Sequence, residues 1–391
     1  MRIAVVEPTS QGGLLHYAVQ LADALATRGE DVDLFVPAEN ELAERPGPAR
    51  RRAILTARTP PSQGAFAQVR VIRRGRVAVH MLRSWARVNW ELRRGRYDAV
   101  VLTSDVDLWP LAAAVLPITV GRGDMRVSAI GHSARPLNRW SGEELFVSSP
   151  LLERLLRVLY RRLDVLFVHG ERSRKEFADV WSTSNLVVIP HGDERIFSKD
   201  PPPPANEERV LFFGDWRKVK GLGVLMEAFE LLLAQRPHAR LTIAGTPCPE
   251  DLDPDEVRNW ARGLGDHVSI VDRYVPVSDV PALFASARAV VTPYLVGYQS
   301  GVVHLAMTMA RAVVCSRVGD LTLAVIDGET GLTVPAGNSD ELAGALERVL
   351  SDPQLAERLG REGRRRLLAG SSWEVVAEQV EHALRDGPAV Q

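Results

Sequence analysis

The chain has 391 residues, of which 46% are hydrophobic and 25% are charged, and its formal net charge is -1. This balance is typical of a soluble globular protein and excludes a disordered or fibrous one, and the length predicts two domains. The two cysteines, Cys248 and Cys315, are too few for a disulfide framework or a zinc cluster, so a reducing, cytoplasmic compartment is expected.

The beginning of the chain lacks the pattern of a secretory signal peptide. Such a peptide needs a basic stretch, an apolar stretch and a small-residue cleavage site, whereas a single Arg2 precedes a strand-like run at residues 3–6. The longest apolar run, residues 108–120, is broken by Pro110 and Pro117 and is too short to span a bilayer. A soluble or peripheral protein is therefore expected.

Along the first half, short aliphatic strands alternate with longer amphipathic helices, which predicts βαβ units around a parallel sheet. A helix is predicted at residues 14–27 and is closed by Gly29. The predicted strands are residues 3–6, 32–36, 99–103, 127–130, 165–168 and 186–189. This half is expected to be an N-terminal, acceptor-binding Rossmann-like domain over residues 1–200.

Residues 201–204 are four consecutive prolines, which fit neither a helix nor a central strand, so residues 201–208 are predicted to be a stiff linker. A second Rossmann-like domain over residues 209–370 is predicted by strands at 210–213, 241–244, 268–271, 290–292 and 313–316 and by helices at 222–235 and 302–310. A serine cap and Glu374 predict a helix at residues 371–384. The segment 371–391 is expected to cross back to the first domain.

Fourteen arginines lie between residues 45 and 96. In the stretch 70–96 they alternate with Trp85 and Trp90, and a basic helix with aromatic side chains is typical of a surface that contacts anionic lipid. A helix that is merely solvated is the alternative. We expect a small-molecule, lipid-linked or polysaccharide acceptor and peripheral contact with the inner face of a membrane. Nucleic acid is not an expected partner, because the overall charge is balanced.

A glycine pair, Gly12 and Gly13, lies between the first predicted strand and the first helix. Glycines at this place let the N–H groups at a helix N-terminus approach an anion, and the helix dipole favours the negative charge. The loop is not the GxGxxG fingerprint of dinucleotide-binding proteins, so NAD is not implied. A tight turn without a ligand is the alternative.

Two loops of the second half also connect a strand to a helix, where ligands bind in doubly wound sheets. The loop 214–221 carries Arg217, Lys218 and Lys220, and arginine and lysine together suit a diphosphate. In the loop 294–302, Ser300 and Gly301 precede an apolar helix and offer a serine hydroxyl and N–H groups to an anion. A solvated basic loop is the alternative for the first of them.

Two histidines are candidates because of their positions. His132 ends a predicted strand of the first half and is expected to face the ligand site, and His191 lies near the junction of the two halves and has the weaker claim. A lone histidine is more often structural than catalytic.

The order of several motifs along the chain resembles that of the retaining glycosyltransferases of family 4, also called glycosyl transferase group 1. The motifs are the glycine pair, Ile189-Pro190-His191-Gly192, Phe212-Phe213-Gly214 to Lys220-Gly221, Pro293-Tyr294 to Gln299-Ser300-Gly301-Val302, and Asp327-Gly328-Glu329-Thr330-Gly331-Leu332. The resemblance covers nearly the whole chain and is strongest over residues 189–334.

This resemblance implies a GT-B fold, in which two Rossmann-like domains face each other across a cleft. It implies a UDP- or GDP-linked sugar as donor, retention of anomeric configuration, no required metal and no cofactor besides the donor. The expected catalytic residues are His132, beside the donor sugar, and Arg217 and Lys220, at the diphosphate. The expected donor-binding residues are Gly12, Gly13, Gly214, Arg217, Lys220, Tyr274, Tyr298, Gln299, Ser300, Gly301 and Val302.

The sequence departs from the family pattern in two places. Asp215 stands directly after the glycine where the family usually has arginine, and Arg217 comes two residues later. The family also usually has two glutamates separated by seven residues, one at the sugar hydroxyls and one at the ribose, but Gly297 and Leu305 occupy those positions. Sugar recognition is then expected to use Tyr298, Gln299 and the amides that follow them.

Fixed cations at the departing diphosphate are expected to supply the largest electrostatic stabilisation of sugar transfer. Attack on the same face lets a phosphate oxygen take the acceptor proton, which accounts for the lack of a glycosidase-like carboxylate pair. Three alternatives stay open: a nucleotide-sugar epimerase, an inverting transferase, and a catalytically silent homologue that binds nucleotide or a partner protein.

Overall fold

The computed structural model describes residues 1–56, 70–104, 115–132, 134, 150–249, 251–297 and 299–387. These residues divide into two compact units, each built around one parallel sheet. The first unit contains the described residues up to Pro190 and those from Trp373 onward, and the second contains His191–Ser372. The prediction of an α/β protein with two Rossmann-like domains is confirmed.

The first unit contains a seven-stranded sheet with the order β3-β2-β1-β4-β5-β6-β7. Its strands are β1 (Arg2–Val6), β2 (Asp31–Pro37), β3 (Arg50–Leu55), β4 (Ala99–Leu102), β5 (Arg126–Gly131), β6 (Val165–Val168) and β7 (Leu186–Val188). The central strands β4 and β6 are continuous aliphatic or aromatic runs with every residue buried, as expected for parallel strands covered on both faces. The strand order reverses between β1 and β4, which creates a topological switch point there.

Helices α1 (Gly13–Thr27), α2 (Arg70–Gly95), α3 (Pro150–Arg162) and α4 (Glu171–Trp181) belong to this unit. Side chains of α2, α3 and α4 share one hydrophobic cluster with the sheet, and Trp85 is buried in it. Of the two tryptophans in the predicted basic helix, only Trp90 can therefore belong to a surface that contacts lipid, and the lipid contact itself stays a prediction. Because Trp90 comes five residues after Trp85, the two side chains point about 140° apart around the helix axis. Trp85 therefore faces the core, whereas Trp90 is 53% exposed.

Strand β3 was not predicted, because its first three residues are arginines. It lies at the sheet edge beside β2, where Arg50 pairs with Asp33 at 2.8 Å and Arg52 pairs with Glu91 at 2.7 Å. Burial alone would raise the pKa of Asp33, but hydrogen bonds from Arg50 and Tyr97 outweigh it and hold that pKa below its usual value. Ion pairs therefore neutralise part of the basic region.

The second unit contains a six-stranded sheet with the order β10-β9-β8-β11-β12-β13. Its strands are β8 (Arg209–Phe213), β9 (Arg240–Ala244), β10 (Val268–Val271), β11 (Ala289–Thr292), β12 (Ala312–Ser316) and β13 (Leu332–Val334). The edge strand β13 was not predicted, since three residues are too few to establish a period. The strand order reverses between β8 and β11, which places the switch point of this sheet between them.

The helices of the second unit are α5 (Leu222–Gln235), α6 (Pro254–Gly263), α7 (Val280–Ser286), α8 (Gly301–Thr308), α9 (Leu321–Ala324), α10 (Ser339–Ser351) and α11 (Pro353–Ser371). Side-chain caps fix where several of them begin. The carboxylate of Asp253 caps α6, the amide oxygen of Asn338 caps α10, and the carboxylate of Asp352 caps α11.

The second unit begins earlier than the predicted boundary at residue 200. His304 of α8 donates a hydrogen bond of 2.7 Å to the carbonyl oxygen of Gly192, which ties the segment after His191 to this unit. Further along, Arg311 donates a bond of 2.9 Å to the carbonyl oxygen of Pro202. The proline segment predicted as a linker therefore lies against the second unit and is held there by a buried arginine.

The final helix, α12 (Trp373–Asp386), belongs to the first unit. It packs against α1, where the rings of Tyr17 and Trp373 meet edge to face with centroids 5.0 Å apart. An ion pair of 2.8 Å joins Arg28, the residue directly after α1, to Glu381 of α12. Throughout the described part of the chain, no helix is both long and apolar enough to cross a membrane.

Candidate functional site

The two predicted phosphate-binding loops of the second unit flank its switch point. One loop follows β8 and carries Arg217 and Lys220, and the other follows β11 and ends at Ser300. Because β8 and β11 are neighbours in the sheet, their carboxyl ends bring both loops to the same place. Ligands of doubly wound sheets bind at such a point.

Close backbone contacts hold the cationic loop in place. Gly214 has a φ of 127° and Gly221 a φ of 70°, conformations that favour glycine. The N–H of Trp216 donates to the carbonyl oxygen of Thr246 at 2.9 Å, and that of Lys218 donates to the carboxylate of Asp251 at 3.0 Å. The loop is therefore fixed to the segment after β9, and its cations project from an ordered backbone.

Arg217 is a half-buried cation with an acid beside it. Its guanidinium lies 3.7 Å from the carboxylate of Asp215, the residue that departs from the family pattern. Within the described part of the chain, the buried Nε of Arg217 has no hydrogen-bond partner. Burial raises the pKa of the neighbouring Cys248 thiol, although Arg217 opposes the change, so this thiol stays protonated near pH 7. Arg217 can therefore offer N–H groups to an anion, in competition with Asp215.

Lys220 lies on the face of an aromatic ring. Its Nζ is 3.8 Å from the ring centroid of Tyr294, a buried residue two positions after the end of β11. The hydroxyl of Tyr294 shares a hydrogen bond of 3.2 Å with that of Ser300. Tyr294 belongs to a motif that resembles the family pattern, but it was not among the predicted site residues. Its position directly after Pro293 at a strand end was the available signal.

Ser300 caps helix α8, because its hydroxyl accepts a bond of 3.4 Å from the N–H of Val303. A Cβ placed on Gly301 would lie 3.5 Å from the carboxylate of Glu194, so an acid comes close to this helix start. Val302 lies beside Gly214, since a Cβ added to Gly214 would be 4.0 Å from a methyl group of Val302. Gln299 and Tyr298 are the other donor-binding residues predicted in this loop. Gln299 is half-buried, and Tyr298 lies outside the described residues.

The two positions that usually hold glutamates in the family differ in their surroundings. Leu305 is buried in the core of the second unit, so its side chain is directed into packing rather than towards a ligand. Gly297 lies in the loop after β11, and a Cβ there would meet the Tyr294 ring at 3.5 Å. The acid near the start of α8 is Glu194, which comes from the segment after β7.

Tyr274 lies apart from the two loops, whereas His191 lies beside the start of α8, where a Cβ added to Gly301 would be 3.9 Å from its ring. Tyr274 follows β10, two strands away from β8 in the same sheet. The ring of His191 packs edge to face on that of His304, with centroids 5.0 Å apart. Burial lowers the pKa of His304, against the effect of its bond to Gly192, so this histidine is neutral at pH 7. These contacts give His191 a packing role.

The glycine pair lies at the switch point of the first unit. Gly12 has a φ of 88° and precedes α1, which begins at Gly13. The N–H of Gly12 donates to the carboxylate of Glu41 at 2.6 Å, and the same oxygen accepts a bond of 2.7 Å from the His16 ring. A phosphate can therefore bind the N–H of Gly12 only if Glu41 moves away, whereas binding at the N–H of Gly13 does not displace Glu41.

His132 follows β5 of the first unit, as predicted. Its Nε2 donates a hydrogen bond of 2.9 Å to the carbonyl oxygen of Thr103, so this nitrogen carries a proton. The rings of Tyr17 and His169 pack around it, with centroids 5.7 Å and 5.6 Å away. The hydroxyl of Thr103 in turn donates to the buried carboxylate of Glu7 at 2.7 Å. Polar contacts therefore fix the imidazole at the carboxyl edge of this sheet.

Two family models match the chain, one in each half. The model described as Glycosyltransferase Family 4 matches residues 11–192, and the one described as Glycosyl transferases group 1 matches residues 207–352. The phosphatidyl-myo-inositol mannosyltransferase of Mycolicibacterium smegmatis is 25% identical, over 97% of this chain and 92% of that protein.

Two solved structures are similar over nearly the full length. Sucrose-phosphate synthase from Thermosynechococcus elongatus has a TM-score of 0.72 and 21% identity, with 98% of each chain covered. HepE from Anabaena, in complex with UDP and glucose, has a TM-score of 0.70 and 18% identity, with 98% of this chain and 99% of that chain covered. At these identities the likeness shows a shared fold.

Proposed function

This chain belongs to family 4 of the glycosyltransferases and has the GT-B fold, and on that premise we propose that it moves a sugar from a nucleotide-diphosphate sugar to an acceptor with retention of anomeric configuration. The observation that carries the proposal is the meeting of Arg217, Lys220 and Ser300 at the switch point of the second sheet. Two cations and a capped helix start suit a diphosphate.

In the proposed reaction, the bond between the sugar and the diphosphate breaks as the acceptor oxygen attacks on the same face. Lys220 and Arg217 stabilise the negative charge that develops on the departing diphosphate. A phosphate oxygen of the leaving group takes the acceptor proton, so no protein base and no metal ion is needed for this step. Gly13 and His132 keep the roles that the family resemblance implies, at the diphosphate and at the donor sugar.

The donor is UDP- or GDP-linked in this proposal, and the acceptor is a lipid-linked molecule. HepE, a structural neighbour, was crystallised with UDP and glucose, which supports a uridine nucleotide. The mannosyltransferase relative is named for phosphatidyl-myo-inositol, which supports a lipid acceptor.

A binding and turnover experiment tests the proposed function. A panel of UDP- and GDP-sugars is added to the protein, and unfolding temperature is measured, because a ligand of the folded state raises it. We expect one nucleotide sugar to raise the unfolding temperature and then to lose its sugar to an added acceptor, also in the presence of EDTA. Release of an epimerised nucleotide sugar without acceptor would identify an epimerase instead. Binding without transfer or hydrolysis would identify a silent homologue.

An exposed face of α2 supports a contact between the first unit and an anionic membrane, and we include this contact in the proposal. Val79, Leu82 and Trp90 are about half exposed, at 47%, 51% and 53%. Arg87 is exposed between them, and the guanidinium of Arg94 lies 5.0 Å from the centroid of the Trp90 ring. Apolar and basic side chains on one helix face match the headgroup boundary of an anionic bilayer.

Vesicle binding of α2 variants tests this contact. Trp90→Ala and Arg87→Ala are each expected to lower binding to phosphatidylglycerol vesicles about fivefold, because each removes roughly 1 kcal/mol of membrane interaction. Leu231→Ala, which removes an exposed leucine from α5 of the second unit, serves as the matched control and is expected to bind normally. Equal binding of all variants would contradict a membrane contact through α2, and equal binding to neutral phosphatidylcholine vesicles would contradict its preference for an anionic membrane.

A further inference from the structure

The surroundings of Lys220 differ from those of the other cation in the same loop. Arg217 has the carboxylate of Asp215 at 3.7 Å, which partly neutralises its charge. Lys220 instead has the face of the Tyr294 ring at 3.8 Å from its Nζ. An aromatic face attracts an ammonium group through its quadrupole and accepts no strong N–H hydrogen bond. Among the described residues the Lys220 ammonium makes no ion pair or hydrogen bond, so its charge and the N–H groups directed away from the ring are available to an anion.

The Tyr294 ring is itself held from several sides. Only 2% of the residue is exposed, and it lies in a cluster with side chains of β11, β12 and α8. Its hydroxyl is hydrogen-bonded to that of Ser300, which caps α8. The ring thus occupies one defined position between the start of α8 and the lysine, and its contact with Lys220 restricts where the ammonium can go.

The backbones of the two loops are also in direct contact beside this pair. The N–H of Leu295 donates to the carbonyl oxygen of Val219 at 2.9 Å. Gly221 passes so close to Pro293 that an added Cβ would lie 1.8 Å from the proline carbonyl oxygen. Each of these contacts joins a neighbour of Lys220 to a neighbour of Tyr294. The cation and the ring are therefore placed against each other by the backbone as well as by their own attraction.

From these contacts we infer that Tyr294 is a positioning residue, which holds the Lys220 ammonium at the diphosphate while leaving its N–H groups free to bind phosphate oxygens. The inference rests on the proposed function, because it needs a diphosphate as the ligand of Lys220. It assigns to Tyr294 an action through Lys220, with no contact between the tyrosine and the substrate.

The alternative is that the Tyr294 ring only fills space in the core. Two substitutions separate these interpretations, because Tyr294→Phe keeps the aromatic face and loses the hydroxyl, whereas Tyr294→Leu keeps an apolar side chain and loses the face. A filling role predicts that leucine, which fills less of the space, loosens the loop and weakens the binding of UDP and uridine alike. A positioning role predicts that phenylalanine preserves diphosphate binding and leucine does not.

The affinities of the wild type and the variants for UDP, GDP and uridine are measured by titration calorimetry. Tyr294→Leu is expected to bind the diphosphate about tenfold more weakly, the size of a partly desolvated cation–π contact, with its affinity for uridine unchanged. Tyr294→Phe is expected to stay within about twofold of the wild type. Equal losses for UDP and uridine, or equal losses in the two variants, would overturn the inference.

A double-mutant cycle with Lys220→Ala shows whether the tyrosine acts through the lysine. If it does, the double variant Lys220→Ala/Tyr294→Leu binds UDP as Lys220→Ala does, because the contact is already lost. Independent, additive losses would exclude the inference. A wild-type protein that binds neither UDP nor GDP would contradict the proposed function itself, while normal binding by Tyr294→Leu would contradict only the role of this tyrosine.

Discussion

Replacing Lys220 with alanine is expected to lower the kcat of sugar transfer by about 10²-fold, the usual cost of removing one fixed group that stabilises charge in a transition state. The ammonium of Lys220 projects from a loop whose backbone is bonded to the neighbouring loops, so little reorganisation can replace it. Negative charge on the diphosphate grows as the sugar departs, so the loss appears mainly in kcat and less in KM. Initial rates with the donor found in the nucleotide-sugar screen measure both constants.

Lys218→Ala is the matched control, because Lys218 lies in the same short 3-10 turn and its side chain is exposed. Its contact with Asp251 uses the backbone N–H, which alanine retains. This variant is expected to keep nearly normal kcat and KM. Transfer by Lys220→Ala at close to the wild-type rate would count against the proposed mechanism, as would an equal loss in the two variants.

Replacing Gly221 with alanine is expected to cause the largest loss of stability. Gly221 has a φ of 70°, and a Cβ there would lie 1.8 Å from the carbonyl oxygen of Pro293. The left-handed conformation and the displaced backbone together cost about 3 kcal/mol or more of the free energy of unfolding. Because the clash separates the loop of Lys220 from that of Tyr294, UDP affinity should also fall. Denaturant unfolding and UDP titration measure the two effects.

Gly223→Ala provides the control for this substitution. Gly223 lies two residues later in α5, and no atom lies within 4 Å of a Cβ built there. Gly223 is the second residue of α5, so alanine there is expected to be neutral or to stabilise the protein by at most about 0.5–1 kcal/mol, the value for a helix interior. If Gly221→Ala unfolded at the same denaturant concentration as Gly223→Ala, the close approach of Gly221 to Pro293 would not be a feature of the folded protein.

The sequence predicted the α/β class and most of the strands, because buried parallel strands are continuous aliphatic runs that can be recognised locally. It missed β3, whose arginines are made acceptable at a sheet edge by Asp33 and Glu91, residues that are distant in sequence. It also grouped Trp85 with Trp90, although the helical period directs them to different sides. For β3 the deciding partners belong to other elements of the unit, whereas the different sides of Trp85 and Trp90 follow from the period of their own helix.

The candidate site likewise combines residues that could be selected from the sequence with contacts that could not. The sequence selected Arg217, Lys220 and Ser300 from their chemistry and from their places after predicted strands, and their roles in donor binding stay predictions. It gave no indication that Glu41 accepts the N–H of Gly12, or that the Tyr294 ring lies against Lys220. These contacts join residues from different loops, and such contacts depend on how the strands are ordered in the sheet.

Two alternating α/β halves, the cationic and glycine-containing loops, and the order of motifs that marks the family can all be recognised from the amino-acid sequence. The folded arrangement is needed to show that β8 and β11 are neighbours, and hence that the loop of Lys220 meets the loop of Tyr294 and Ser300. This difference arises because hydrophobic periods and turn residues act over a few neighbouring positions. Strand order, by contrast, is set by the packing of helices and strands that are far apart in the chain.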